Sequence, residues 1–193
     1  MAKDRFRDWG LYHKLVATAV VAFAFATGLR AFLVIDGAFE LTEEVVLAAN
    51  PDEVWPWIVE NDKRPDWQGE ITRVQGLSSD IGRNRLVYWK RGYSRWRSFE
   101  LTTALVVGRL FKSEQESDFD RRWWQVELFQ LEPCRTRVVL KEVIRPTEYK
   151  DRFWFFRVEE ERQQRLIDSV EALKRWVESE PSVCRPDEAT ITQ

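Results

Sequence analysis

The sequence predicts an α+β domain: a curved antiparallel sheet of about six or seven strands closed by one long C-terminal helix, preceded by a separate apolar helix. Three observations carry this. Segments of alternating apolar and polar residues succeed one another from Phe39 to Pro146, punctuated by Gly, Pro and Ser-Ser-Asp. Two short helical pieces interrupt them only once, after the first strand. One long helical pattern, from about Asp151 to Ser179, follows the last strand and places Leu166, Val170, Leu173 and Val177 on a single stripe. An antiparallel sheet with one apolar face needs a cover, and this helix is the element long enough to supply it.

In chain order, residues 1–14 form a polar, basic tail with Lys3, Arg5, Arg7 and Lys14. Leu15–Ile35 is an apolar run interrupted by Arg30, about the ~20 residues that cross a bilayer as a helix. Three readings compete for it: a retained signal-anchor helix, which we carry forward; a cleaved signal peptide, to which Ala22-Phe23-Ala24 and Ala24-Phe25-Ala26 would lend cleavage sites; and a buried or amphipathic helix. For an anchor, the positive-inside rule keeps the N-terminus in the cytoplasm and sets the domain outside. Four Lys/Arg precede the span, whereas Asp36, Glu40, Glu43 and Glu44 follow it before the next cation, Lys63. In a bacterium that is the periplasmic or outer face of the cell membrane.

The domain is expected over residues 39–180. Phe39–Ala49 reads as the first strand. Asn50 is a good N-cap, Pro51 suits the first helical position, and Asp52 and Glu53 place negative charge in the first turn of a short helix. Pro65 and Trp67 mark a second short helix. Further strands are expected at 71–77, 85–90, 96–107, 110–116, 122–131 and 137–144. The fourth should turn Phe99, Leu101, Thr103 and Leu105 to one face, and the fifth, short and polar, suits an edge. In the last hairpin Trp124, Val126 and Leu128 share a face, as do Val138, Leu140 and Ile144; Glu142 falls on that same inward parity. Phe153–Phe156 reads as hydrophobic packing at the start of the long helix, or as closure of one end of a cavity. Residues 181–193 are expected to be a disordered tail.

Composition narrows function. Residues 1–35 carry a net charge of +3 and the remainder −5, so the main domain lacks the electrostatics of a nucleic-acid binder, although Lys90-Arg91 with Trp89 and Trp96 is a basic–aromatic mix of the kind that stacks bases. No CxxC or Cys/His cluster suggests zinc. Cys134 and Cys184 read as two unpaired thiols, with one disulfide as the alternative for an exported domain. The single histidine, His13, precedes the apolar run, so no Ser-His or Cys-His pair lies within the domain. Glycine-rich phosphate loops are lacking, and no cofactor or metal is implied. Ten tryptophans are core and packing residues or, alternatively, the lining of an aromatic cavity. Nothing in the sequence speaks to oligomeric state.

Ala49-Asn50-Pro51-Asp52-Glu53-Val54-Trp55-Pro56-Trp57-Ile58-Val59 with Pro65-Asp66-Trp67, then Leu131-Glu132-Pro133, Thr136-Arg137-Val138 and the closing helix, resemble the START/Bet v 1-like (SRPBCC) superfamily and, within it, polyketide cyclase/dehydrase-type proteins. Arg135 stands where that pattern has Gly before the hairpin Thr. The resemblance implies a helix-grip fold with a cavity for a hydrophobic small molecule or lipid. Together with the apolar helix, which is not part of the general family pattern, the aromatic excess and the lack of a catalytic set, this makes a membrane-tethered binding protein the leading expectation and a cyclase or dehydratase acting on an aromatic or polyketide-type substrate the alternative. The cavity would be lined by Trp67, Tyr88, Phe99, Trp124, Val126, Leu128, Val138, Leu140, Glu142, Leu166 and Val170. Glu142 is the one catalytic candidate, against the plainer reading of a structural ion pair.

Overall fold

The structure, a computed structural model, describes residues 3–35, 38–76, 80–147, 149–181 and 184, with the side chains of 3–9, 11, 30–35 and 149–158 outside the description. The chain divides into two units, Met1–Gly37 and Ala38–Gln193. The first is one helix, α1 (Lys3–Ile35). It runs without a break through the boundary expected at residue 14, in keeping with a stretch that contains no proline. Its segment Tyr12–Leu29, of mean hydropathy 1.4, is long and apolar enough to cross a membrane.

The second unit follows the order β1 (Phe39–Leu47), α2 (Pro51–Val59), α3 (Arg64–Trp67), β2 (Ile71–Gln75), β3 (Asn84–Arg91), β4 (Ser94–Val106), β5 (Leu110–Glu116), β6 (Asp120–Glu132), β7 (Arg135–Pro146) and α4 (Tyr149–Ser179). The strands form one antiparallel sheet in the order β1-β7-β6-β5-β4-β3-β2. The core lies between this sheet and the C-terminal half of α4: Val126, Leu128, Val138, Leu140 and Ile144 meet Leu166, Val170, Leu173 and Val177, all buried.

The end of the sheet near α2 is stapled by the residues that carry the sequence resemblance. The Asn50 backbone N–H donates to Glu53 Oε2 at 2.7 Å, one half of a capping box. Asn50 Oδ1 accepts from the Cys134 N–H at 3.1 Å, and Thr136 Oγ1 donates to the Ala49 carbonyl at 2.7 Å. The C-terminus of α4 joins them through Glu178 Oε1, which accepts from the Ala48 N–H at 3.0 Å.

Three expectations are corrected here. First, β5 is not an edge but lies between β4 and β6; its inward residues Phe111, Ser113 and Gln115 are buried. Second, β4 turns Ser98, Glu100 and Thr102 inward, while Phe99 stands on the outer face, 62% exposed, and Leu101 stands with it. A register shift between Thr102 and Ala104 then changes parity, so Leu105 packs against the core. The polar face wins because Glu100 meets two buried arginines there. Third, Cys134 and Cys184 are joined in a disulfide instead of standing as free thiols. Cys134 occupies the left-handed region at φ 61°, the position where the β6–β7 turn would favour Gly. A cysteine there trades backbone ease for a cross-link that fixes the end of α4 to the sheet. The aromatic run at 153–156 and most of the 181–193 tail lie outside the described side chains and residues, respectively.

The cross-link closes a loop of about 50 residues, worth about 4 kcal/mol in the chain-entropy model. Urea unfolding with and without reductant should therefore show a large drop in midpoint on reduction, reproduced by Cys134→Ser without reductant. An unchanged midpoint would contradict this.

Candidate functional site

Between the sheet and α4 lies a cavity of about 30 Å³. Its floor is built by inward positions of four strands: Trp89, Gln115, Arg122 and Trp124, and Glu142. Its roof is one face of α4, Arg165, Leu166 and Ser169, at spacings of one and four residues that put them on adjoining turns. Gln68 and Glu70, after α3, close its side. A cavity of this size holds one or two water molecules, well below the ~300–1,000 Å³ of sites that enclose a drug-sized ligand.

Charges of alternating sign run through it. Arg91 Nε donates to Glu70 Oε1 at 2.6 Å, and Arg165 Nη1 donates to Glu70 Oε2 at 2.7 Å. Arg165 Nη2 reaches Glu142 Oε2 at 3.1 Å. Glu142 Oε1 lies 3.5 Å from Arg122 Nη1. Arg122 Nη2 donates to Asp120 Oδ2 at 2.8 Å, and Arg162 approaches the same oxygen at 3.3 Å. The ladder Arg91–Glu70–Arg165–Glu142–Arg122–Asp120–Arg162 thus crosses from sheet to helix twice and ties Arg162 and Arg165 of α4 to the sheet by ion pairs, beside the apolar stripe from Leu166 to Val177. The Arg122 guanidinium also lies over the Trp89 ring, 4.8 Å from its centroid. Its Nη1 is buried and makes no hydrogen bond among the described residues.

A second buried cluster backs the cavity. Arg64 Nη1 donates to both oxygens of Glu100 at 2.9 Å, Arg85 Nη2 hydrogen-bonds Glu100 Oε1, and Gln115 Nε2 donates to Glu100 Oε2 at 2.6 Å. Arg64 and Glu100 are fully buried and Arg85 nearly so. Arg64 also lies over Trp124, on which Trp67 stacks at 5.7 Å while Phe111 meets it edge-on at 5.9 Å.

These partners fix protonation. Burial alone would raise the Glu100 pKa, but the charges of Arg64 and Arg85 outweigh it and hold the carboxyl below its ordinary value. Burial likewise opposes ionisation of Glu70 and Asp120; hydrogen bonds and charge from Arg91 and Arg165 win at Glu70, and the charge of Arg122 wins at Asp120. For Arg122, Asp120 and Glu142 overcome burial and raise the pKa. Burial and the neighbouring Arg122 push Arg162 down to about 10, still cationic at neutral pH.

Of the eleven residues named from the sequence, Trp124, Glu142 and Leu166 line the cavity. Trp67, Val126, Leu128, Val138, Leu140 and Val170 are buried in the core around it. Tyr88 and Phe99 are not brought there. Tyr88 is on the outer face, its hydroxyl donating to Gln75 Oε1 at 2.8 Å, and Phe99 follows the parity of β4. The polar lining, Arg122 and Arg165 above all, was not anticipated. Arg122 shares the parity of Trp124 and Val126 and is legible by that route; Arg165 sits one residue before the apolar stripe, at the end of the charged run from Glu159, where nothing in the pattern marks it as inward.

No family model matches the chain, and no curated protein matches it in sequence. Solved structures do match in three dimensions. Ara h 8.0201 superposes with a TM-score of 0.58 at 11% identity, over 75% of this chain and 100% of that one. The Zhui aromatase/cyclase from Streptomyces sp. R1128 gives 0.59 at 15% identity, over 74% and 94%. A conserved protein from Geobacillus kaustophilus gives 0.61 at 9% identity, over 72% and 95%. The second unit therefore has the helix-grip, START/Bet v 1-like fold that the sequence resemblance implied.

Because Glu70, Glu100 and Asp120 have folded pKa values below ordinary ones, the unfolded chain binds more protons as the solution is acidified. Their contribution is complete above the ordinary carboxylate range and is lost as pH falls through the folded values. The urea midpoint should be flat from about pH 6 to 8 and fall steeply below about pH 4.5. Glu100→Gln should cost about 3–5 kcal/mol at neutral pH by stranding two buried arginines. A variant as stable as the parent, with the same acid profile, would contradict the assignment.

Proposed function

We propose that this chain is a membrane-tethered binding module for an apolar small molecule or lipid that carries a polar end. The observation that carries the reading is the composition of the cavity at the helix–sheet junction: Trp89, Trp124 and Leu166 offer flat apolar walls, while Arg122 Nη1, Gln115, Arg165 and Ser169 offer polar atoms to one end of an occupant. An occupant larger than water must displace part of the roof. The turn from Arg162 to Arg165 is the part suited to yield, because its ion pairs can exchange for water or ligand contacts, whereas the stripe from Leu166 onward is fixed by burial, by Trp176 Nε1 donating to the Asp66 carbonyl at 2.9 Å, and by the disulfide that follows the helix. The fold is shared with Ara h 8.0201 and with an aromatase/cyclase, which supports a cavity-based role without specifying one.

Binding is favoured over catalysis by the state of the carboxylates. A cyclase or dehydratase working by proton transfer needs an acid or base poised near neutrality. Glu70 and Asp120 are instead held ionised by arginines, and Glu142 is shared between Arg165 and Arg122. The fixed charges of Glu70 and Asp120 orient a polar group rather than exchanging protons with it.

The helix Tyr12–Leu29 supplies the tether in this reading, with the N-terminus cytoplasmic. The disulfide supports placing the domain outside, since such bonds persist in oxidising compartments.

Native mass spectrometry of the full chain released from nanodiscs should detect a stoichiometric apolar adduct, greatly reduced in Arg165→Ala. A chain free of adducts, with tryptophan fluorescence unmoved by a panel of fatty acids, sterols and quinones, would overturn the proposal.

A further inference from the structure

The end of the domain opposite the staple carries an unusual surface. The β3–β4 turn is two residues long, with Gly92 at φ 56° in its first position, as a tight hairpin requires. Its second residue, Tyr93, is fully exposed. Residues 90–97, Lys-Arg-Gly-Tyr-Ser-Arg-Trp-Arg, contain four cations and no acid. Arg91 is paired with Glu70, but Lys90, Arg95 and Arg97 are exposed and have no carboxylate partner among the described residues. Beside this hairpin the β5–β6 turn presents Phe119, 57% exposed, its ring edge-on to Trp96 at 6.4 Å. Arg95, Arg97, Trp96 and Phe119 line an open groove of about 400 Å³, in which Asp118 is the one acid.

Strand direction determines what else lies at this end. In an antiparallel sheet with Phe39 opposite Ile144 and Asp120 opposite Pro146, the N-terminal end of β1 lies on the same edge of the sheet as the β5–β6 and β3–β4 turns. Only Asp36, Gly37 and Ala38 separate the last residue of α1 from the first of β1, a reach of about 14 Å at full extension.

We propose that the β3–β4 hairpin and the β5–β6 turn form a docking surface for anionic phospholipid headgroups. The inference rests on the reading of α1 as a membrane anchor. The chemistry of this end fits a bilayer surface. Unpaired Lys and Arg attract anionic headgroups, and Tyr93, Trp96 and Phe119 are the amphipathic and apolar rings that settle at the headgroup level. Because the anchor tethers the domain to the bilayer, weak contacts suffice to populate the docked state. Docking would also turn the Arg162–Asp120 ion pair, which lies at this end, toward the lipid phase from which an apolar ligand would come.

The test uses the full chain in nanodiscs of phosphatidylcholine alone or with phosphatidylglycerol added, read by hydroxyl-radical footprinting of aromatic side chains. Oxidation of Tyr93 and Phe119 should slow about fivefold or more when phosphatidylglycerol is present, the factor corresponding to one cation's attraction to an anionic surface. Trp176, exposed at the far end of α4, should not change. The triple variant Lys90→Glu/Arg95→Glu/Arg97→Glu alters exposed residues and should fold with an unchanged thermal midpoint while losing the protection. Equal oxidation in both lipids, or protection that follows added single-stranded RNA instead, overturns the docking surface while leaving the anchor standing. A chain stripped from membranes by alkaline carbonate overturns the anchor, and the docking surface with it.

Discussion

The burial of Glu100 between Arg64 and Arg85 is the constraint on which much of the domain depends. A carboxylate at full burial is tolerable only with its charge matched and its lone pairs occupied, and here two guanidinium groups and the Gln115 amide do so. That requirement decides which face of β4 points inward, places Gln115 of β5 beneath it, and draws α3 against the sheet through Arg64. Arg64 in turn lies over Trp124, and Trp67 stacks on the same ring. The wall of the cavity is therefore set by an ion cluster rather than by apolar packing alone.

The cluster also explains where sequence reading succeeded and where it stopped. Order, approximate boundaries and strand parity in the last hairpin were legible because Trp124, Val126 and Leu128 alternate cleanly with polar residues, and the helix stripe through Leu166 and Val177 has an unmistakable period. The α2 start is recognisable because Asn50-Pro51-Asp52-Glu53 is a local helix-start pattern, and Asn50 and Thr136 then join it to the closing hairpin across more than eighty residues of chain. In β4 the same rule misleads: Phe99 and Leu101 are the apolar set, but the buried set is Ser98, Glu100 and Thr102, selected by partners some 15 to 36 residues away. No local pattern encodes that pairing. The central place of β5 was hidden for the same reason, its inward Ser113 and Gln115 being polar. The disulfide was undecidable from two cysteines with no third observation, and only the left-handed turn at Cys134 and the course of α4 bring them together.

The aromatic excess takes a different meaning in this setting. Trp67 and Trp124 stack on one another, Trp57 packs against Trp176, and Trp89 lies between the Trp96 ring and the Arg122 guanidinium. Tryptophan serves here as a flat surface for arginine and for other indoles, which lets a domain with this many buried charges close its core. What remains between sheet and helix is small and polar. The two ends of the domain differ correspondingly: one is locked by the disulfide and backbone-to-side-chain hydrogen bonds, the other carries the Asp120–Arg162 ion pair and bears the basic–aromatic turns.

The central claim is that the space beneath α4 is a charge-lined site organised by Arg122, not an apolar tunnel. A crystal structure of the full chain purified from membranes in mild detergent tests it most directly. Ordered density is expected in the cavity within hydrogen-bond distance of Arg122 Nη1: a water, with Arg165 still bridging Glu70 and Glu142, or the polar end of a bound molecule, with Arg165 released from them. An Arg122 side chain turned out of the cavity, with continuous apolar walls in its place, would contradict it.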